Sequence, residues 1–182
     1  MYITGVIQAL DNVGIEAGAQ RRIQQFKDYP LREYMELLLD AAVTLSPEDL
    51  PKEGLRRLGQ LAIPTFAHSI VGGVIMSTVG KNWELCLKMV SRGYEVSLKP
   101  GKAVVAELSN DRALVQLRGI WNFGDSYQVG VIEGLMQSCD IRGTVVVEAL
   151  SKCDPDLRLH WEDRRSRRPN TGREDRPSFD AR

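Results

Sequence analysis

The sequence has few of the residues on which enzyme chemistry most often depends. It holds two histidines and three cysteines among 182 residues, which leaves little material for histidine-based catalysis or metal binding. The cysteines, Cys86, Cys139 and Cys153, form no C-x-x-C pair and match no zinc spacing. Phosphate-loop, G-x-G-x-x-G, H-E-x-x-H and G-x-S-x-G patterns are also absent from the sequence. We therefore predict no enzymatic activity, no metal and no cofactor, and we expect buried, reduced thiols.

A net charge is also lacking, since Lys plus Arg and Asp plus Glu both number 24. The zero conceals a split, because residues 164–182 hold seven arginines against three acids. We predict a single domain over residues 1–163, with a net charge of −4, and an Arg-rich disordered tail over residues 164–182. The acidic body argues against a nucleic-acid partner, except for weak electrostatic docking through Arg164–Arg168.

Targeting signals are missing from the first residues, which have no basic stretch followed by a long apolar run. Together with the unpaired cysteines, this predicts a cytoplasmic protein. The segment Leu58–Gly80 has no charged residue and is long enough to cross a bilayer. It also contains Pro64, four glycines and several polar side chains, which favour a buried helix over a membrane span.

Hydrophobic spacing predicts helices over much of residues 30–91, with a kink or break at Pro64. Another helix is predicted after Asp125, which would cap it with Gln128 as partner. Residues with period-two alternation come at the N-terminus and after Gly93. We predict an α+β fold, in which N-terminal helices pack on an antiparallel sheet of about five strands with one inserted helix. The predicted strands after Gly93 are Tyr94–Leu98, Ala103–Leu108, Ala113–Trp121, Thr144–Leu150 and Leu157–Trp161.

Two sets of residues are candidate sites. The inserted helix carries a row of small residues, Gly130, Gly134 and Ser138, which would let a backbone approach it closely and so pack or dimerise there. His68, in the uncharged segment, could ligate haem iron or a polar ligand, but a hydrogen-bonded helix histidine is the simpler interpretation. An apolar ligand pocket, if formed, would be lined by Phe66, Ile70, Trp83, Cys86 and Met89.

Several short motifs occur in a characteristic order along the chain. They are Tyr29-Pro30, Glu53–Gly59, Phe66 with Gly72-Gly73, Tyr94-Glu95 and Gly130–Leu135. Together they resemble the myxobacterial paralogous family of uncharacterised proteins over residues 3–161. The resemblance implies a bacterial, single-domain chain and transfers no catalytic residue.

The second half also resembles four-vinyl-reductase-type domains, in its meander, its Gly-x-x-Glu-Gly-Leu helix and its final two strands. Those domains share the ligand-binding fold of nitric-oxide-sensing haem domains and Golgi-tethering subunits. The resemblance implies an α+β domain that can enclose a hydrophobic cavity, often in dimers. Only Cys153 stands where those domains often carry two cysteines, and Tyr94–Leu98 lacks the arginine of the haem sensors' Tyr-x-Ser-x-Arg motif.

The leading functional hypothesis is a non-enzymatic regulatory or sensory signalling module that binds a small apolar ligand, a protein partner, or both. The alternative is a structural protein that forms homodimers through the helix at 125–139 or through an edge strand at 157–161. An enzyme that uses scattered carboxylates or Cys153, or a haem-based sensor, is the third hypothesis.

Overall fold

The structure, a computed structural model, describes residues 10–11, 14, 29–68, 70–97 and 101–162. The expectations for residues 1–9, 15–27 and the tail at 164–182 therefore fall outside the described residues. Leu10, at the end of the predicted first strand, has helical backbone and is buried.

Four helices can be bounded within the described residues of the first half of the chain. α1 spans Leu31–Leu45, α2 spans Pro51–Ala67, α3 spans Ile70–Val79 and α4 spans Trp83–Ser97. Proline suits the first position of α2, because the first N–H groups of a helix have no acceptor within it.

Pro64 lies inside α2 and does not end it at once. The helix runs on to Ala67, and His68 forms its carboxyl end, so the predicted break comes four residues later than Pro64. The chain then bends by 87° between α2 and Gly72–Val79. No single helix in the described ranges is long and apolar enough to cross a membrane, although this bent pair passes the same test jointly.

The second half is an antiparallel sheet with one helix inserted. β1 spans Lys102–Leu108, β2 Arg112–Arg118, α5 Tyr127–Ser138, β3 Gly143–Ala149 and β4 Pro155–Trp161. The strand order is β1-β2-β4-β3, and each neighbouring pair is antiparallel. This architecture confirms the α+β fold and the inserted helix.

The strand predicted at Tyr94–Leu98 is wrong, because α4 continues through Ser97. Trp83, Cys86, Leu87, Val90 and Tyr94 are all buried, at the three- and four-residue spacing of one helical face. The local alternation around Tyr94 is thus weaker than the helical periodicity of the whole segment. The sheet therefore has four strands in the described residues instead of about five, and the predicted meander reduces to the β1-β2 hairpin.

Two further expectations from the sequence are wrong. Residues 157–161 belong to β4, which lies between β2 and β3 and is not an edge strand. Ser126, and not Asp125, is the N-cap residue of α5, without a side-chain capping bond. Gln128, the expected capping partner, is the second residue of α5, and its side chain is buried.

Buried apolar side chains form two clusters. The larger cluster, here called the sheet core, joins α4 and α5 to one face of the sheet. Its fully buried members include Leu87, Val115, Leu117, Ile132, Leu157 and Leu159. The smaller cluster, called the helical core, joins α1 and α2 to the start of α5. It consists of Leu10, Tyr34, Leu37, Leu38, Ala41, Ala42, Leu55, Leu58 and Tyr127.

Candidate ligand-binding site

Three of the five predicted pocket residues lie together in the sheet core. Trp83 and Cys86 are buried there and Met89 packs against the same cluster. The Trp83 ring meets Trp161 edge-on, with ring centroids 5.3 Å apart. Aromatic pairs favour this arrangement, so the two rings fill the space between α4 and β4.

The other two predicted residues are not part of that cluster. Phe66 is half-buried near the end of α2, and the side chain of Ile70 lies outside the described residues. The pocket predicted from the sequence is thus divided between a packed core and the α2–α3 bend.

The small-residue row of α5 faces α2 of the same chain. A Cβ atom at Gly134 would lie 2.5 Å from the carbonyl oxygen of Gln60, and one at Gly130 would clash with the carbonyl oxygen of Arg56. Ser138 lies further along the same helix and donates its hydroxyl to the carbonyl oxygen of Gly134. Because α2 covers both glycines, the row packs two helices backbone to backbone within the chain.

Glu133, which the sequence places on α5 between those glycines, joins the same pair of helices. Its carboxylate accepts a hydrogen bond from Arg56 Nε at 2.7 Å and another from Gln60 Nε2 at 3.0 Å. Burial raises the pKa of Glu133, but the bonds from Arg56 and Gln60 outweigh burial and lower it overall. The charged carboxylate of Glu133 therefore links α5 to α2 through hydrogen bonds.

A buried polar cluster separates the two cores. The hydroxyl oxygens of Tyr34 and Tyr127 are 3.4 Å apart, and Tyr94 donates its hydroxyl to Gln128 Oε1. Gln128 Nε2 in turn donates to the carbonyl oxygen of Asn122. Burial raises the pKa of all three tyrosines, so their side chains are neutral phenols at neutral pH.

An open apolar groove lies beside this cluster, on the surface of α1. Leu31, Met35 and Leu39 repeat at four-residue spacing and form one wall, because residues four apart share a helix face. Trp121 and Phe123, from the loop before α5, form the other wall. The groove is open to solvent and has a volume of about 380 Å³, and the charged side chains of Arg32 and Glu36 also line it.

The groove exposes large apolar side chains to solvent. Trp121 is 48% exposed and Leu39 is 38% exposed. The sequence predicted α1 and its apolar residues, but it placed Trp121 at the end of a strand. The sequence does contain a signal for the second wall. Trp121 and Phe123 are two aromatic residues at the point where the predicted strand ends, just before Gly124.

The histidines lie away from both cores. His68 is exposed, and its Nδ1 is 2.7 Å from the carbonyl oxygen of Pro64, which matches the predicted hydrogen-bonded helix histidine. His160 is exposed on β4. Among the residues that the structure describes, no group of three or more His, Cys, Asp or Glu side chains could hold a metal ion.

Residues 5–162 match the family described as protein of unknown function (DUF2378). The chain belongs to this family. The matched range nearly coincides with residues 3–161, over which the sequence resembles an uncharacterised family. No curated protein matches the chain.

Solved H-NOX proteins share the fold. The chain is similar to the H-NOX protein from S. oneidensis in its Fe(II)NO state, at a TM-score of 0.69 and 11% identity, over 89% of this chain and 99% of that one. The Fe(II) unliganded H-NOX protein from K. algicida is similar at a TM-score of 0.67 and 11% identity, over 89% of this chain and 97% of that one. An oxygen-binding H-NOX domain related to soluble guanylate cyclases is similar at a TM-score of 0.59 and 16% identity, over 88% of this chain and 86% of that one.

The similar H-NOX proteins from S. oneidensis and K. algicida contain Fe(II), but the donor residues of this chain do not fit a haem held by a histidine inside either core. Both histidines of the sequence are exposed. Burial keeps the three core tyrosines protonated, whereas a tyrosine binds iron as phenolate.

Proposed function

We propose that the chain is a non-enzymatic sensory or regulatory module that binds a small apolar molecule in the groove between α1 and Trp121–Phe123. The single observation that carries this proposal is the apolar groove of about 380 Å³. Ligand sites commonly enclose about 300–1,000 Å³ and are lined by apolar and aromatic side chains. Among the described residues, the central side chains of the sheet core are fully buried, whereas the groove is open to solvent.

The backbone at the groove wall supports a sensory role. Phe123 has a φ of +57°, a left-handed conformation that is strained for a bulky side chain. Strain of this kind collects at ligand sites and switch segments. A ligand that moves the Phe123 ring would relieve or increase this strain, so binding and loop conformation would be coupled.

Hydrogen bonds connect that loop to the sheet half. The carbonyl oxygen of Phe123 accepts the backbone N–H of Gln128 at 3.2 Å. The side chain of Gln128 accepts the hydroxyl of Tyr94, on α4, which packs on the sheet. A change at Phe123 would therefore reach α4 through two hydrogen bonds and one residue.

The test uses 1-anilinonaphthalene-8-sulfonate, a fluorescent apolar anion, as the probe for the groove. We expect saturable binding to the native protein, with energy transfer from tryptophan to the probe. Leu39→Glu, which places a carboxylate in the groove wall, should weaken binding about tenfold or more, because an apolar contact becomes a charged one.

Val43→Glu is the matched control. Val43 lies on the same helix one turn further on, is 51% exposed and does not line the groove. It should bind the probe like the unchanged protein, at the same thermal midpoint. Equal binding by both variants, or no binding by the unchanged protein, would rule out the groove as the site.

The alternative, a homodimerising interaction protein, gains support from a different element. β3 is an edge strand, and Val146 on it is a large exposed apolar side chain. Edge strands offer unpaired backbone groups to another chain. Light scattering on the same samples distinguishes the two functions, because a monomer that binds the probe supports the ligand module alone.

A further inference from the structure

Two of the three cysteines meet inside the sheet core although 53 positions separate them in the sequence. The Sγ atoms of Cys86 and Cys139 are 3.3 Å apart. Cys86 is 3% exposed and Cys139 is fully buried. No disulfide joins them, since both are thiols in this structure.

The two thiols belong to elements that are fixed by their own backbone bonds. Cys86 lies in the first turn of α4, and its N–H donates to the carbonyl oxygen of Asn82 at 2.9 Å. Cys139 is the C-cap residue of α5, and its N–H donates to the carbonyl oxygen of Leu135 at 3.1 Å. The close sulfur contact therefore follows from how these two helix ends are positioned.

An ion pair on the surface ties the same two segments together. Lys81 Nζ, just before α4, lies 2.7 Å from Asp140 Oδ2, just after α5. Both side chains are exposed, so the pair marks the surface side of the thiol contact. We expect that local opening of this pair and of the first turn of α4 would expose the two sulfurs to solvent.

A disulfide needs an S–S distance of about 2.0 Å. The two sulfurs, 3.3 Å apart, must therefore approach by little more than about 1 Å. Cys153 has different neighbours, because its sulfur lies 3.5 Å from Ser151 Oγ and 3.5 Å from Asp154 Oδ2. It serves as an internal comparison within the same chain.

We propose that Cys86 and Cys139 form an oxidisable dithiol site that exchanges with a low-molecular-weight disulfide. The thiolate of one cysteine attacks the small disulfide, forms a mixed disulfide and releases one small thiolate. The thiolate of the second cysteine then attacks the protein sulfur of the mixed disulfide and releases the other small thiolate. The two protons that the protein thiols lose end on the two released small thiols, and the protein has lost two electrons.

The product would clamp the start of α4 to the end of α5. It would close a long chain segment and so restrict the unfolded chain, which raises the free energy of unfolding. Because both sulfurs are buried, exchange should follow local opening and be slow in the native protein. The site does not depend on the groove, so it holds whether or not the groove binds a ligand.

The experiment incubates the native full chain with oxidised glutathione, quenches it with acid, and then alkylates it in denaturant. We expect a product that has lost two hydrogen atoms, keeps one alkylatable thiol at Cys153, and yields a peptide cross-linked between Cys86 and Cys139. Its thermal midpoint should rise by several degrees relative to the reduced protein, and reductant should reverse the rise.

Cys153→Ser should form the same cross-link, whereas Cys86→Ser and Cys139→Ser should not. If either of the last two fails to fold, the cross-linked peptide of the unchanged chain still decides the matter. Three alkylatable thiols after long incubation, a cross-link that contains Cys153, or a pair that forms only in denaturant would overturn the proposal.

Discussion

The sheet core and the helical core stabilise the molecule in different ways. The sheet core buries large aliphatic and aromatic side chains between one sheet face and two helices. Beside the helical core, α2 and α5 approach until glycine positions face backbone carbonyl groups, as Gly130 faces Arg56 and Gly134 faces Gln60. The sheet core therefore depends on side-chain volume, whereas the contact between α2 and α5 depends on the absence of side chains at these glycines.

The two regions also differ in how far their apolar side chains are exposed to solvent. Side chains at the centre of the sheet core have no contact with solvent, whereas α1, on the helical core, leaves Leu39 partly exposed beside Trp121. We infer that a ligand can reach the helical half without disturbing the packing that holds the sheet.

The largest effect is expected in the sheet core. Leu117→Ala removes a fully buried side chain from β2 and should lower the free energy of unfolding by about 4 kcal/mol, because it leaves a cavity. Leu39→Ala, on the groove wall, should cost less than about 1 kcal/mol. Urea unfolding measures both. Similar losses would show that the groove wall is as tightly packed as the sheet core.

Much of this arrangement could be predicted from the sequence. The apolar spacing of α1 and α2, the strands around turns, and the small-residue face of α5 all predict the α+β fold correctly. Local patterns were insufficient at Tyr94, where a few alternating residues predicted a strand but the helical face beginning at Trp83 continued through them. The strand propensity of five residues is a weaker signal than the burial pattern of the fifteen residues of α4.

The candidate site was harder to predict for a different reason. The groove joins α1 to Trp121 and Phe123, more than 80 positions away, and a sequence does not state which distant loop covers a helix. The contact of Cys86 with Cys139 has the same origin. The hydrogen bonds that Glu133 accepts from Arg56 and Gln60 could not be predicted for the same reason, because more than 70 positions separate these residues from Glu133.

The second prediction concerns the glycine contact in the helical half. Gly130→Ala should lower the free energy of unfolding by about 3 kcal/mol, because the new Cβ meets a backbone carbonyl that cannot rotate away. Gly93→Ala is the control, since a Cβ there meets no atom within 4 Å. In the middle of α4 it should stabilise the protein by up to about 1 kcal/mol. Chemical denaturation of the two variants gives the comparison, and a neutral Gly130→Ala would mean that α2 and α5 can separate freely.

The smallest expected effect is the difference between two ion pairs in what they contribute to the free energy of unfolding. Glu133 binds Arg56 and is mostly buried, whereas Glu148 on β3 binds Arg158 at 3.0 Å with both side chains exposed. Glu133→Gln should lower the free energy of unfolding by about 1 kcal/mol at pH 7, since it removes a charge-assisted hydrogen bond. Glu148→Gln should change it by less than about 0.5 kcal/mol, because exposed pairs contribute little.

The pH dependence of that difference shows whether charge is responsible. The pKa of Glu133 is lowered in the folded state, where burial, which raises it, is outweighed by the bonds from Arg56 and Gln60. The carboxylate therefore stabilises the fold above its unfolded pKa of about 4.3. The contribution is lost as pH falls through the lower folded value, because protonation then favours the unfolded chain. Urea unfolding at pH 7 and pH 3 should show the Glu133→Gln penalty shrinking at the lower pH. A penalty that stays constant would assign it to packing between α2 and α5, and the two halves would then differ in shape alone.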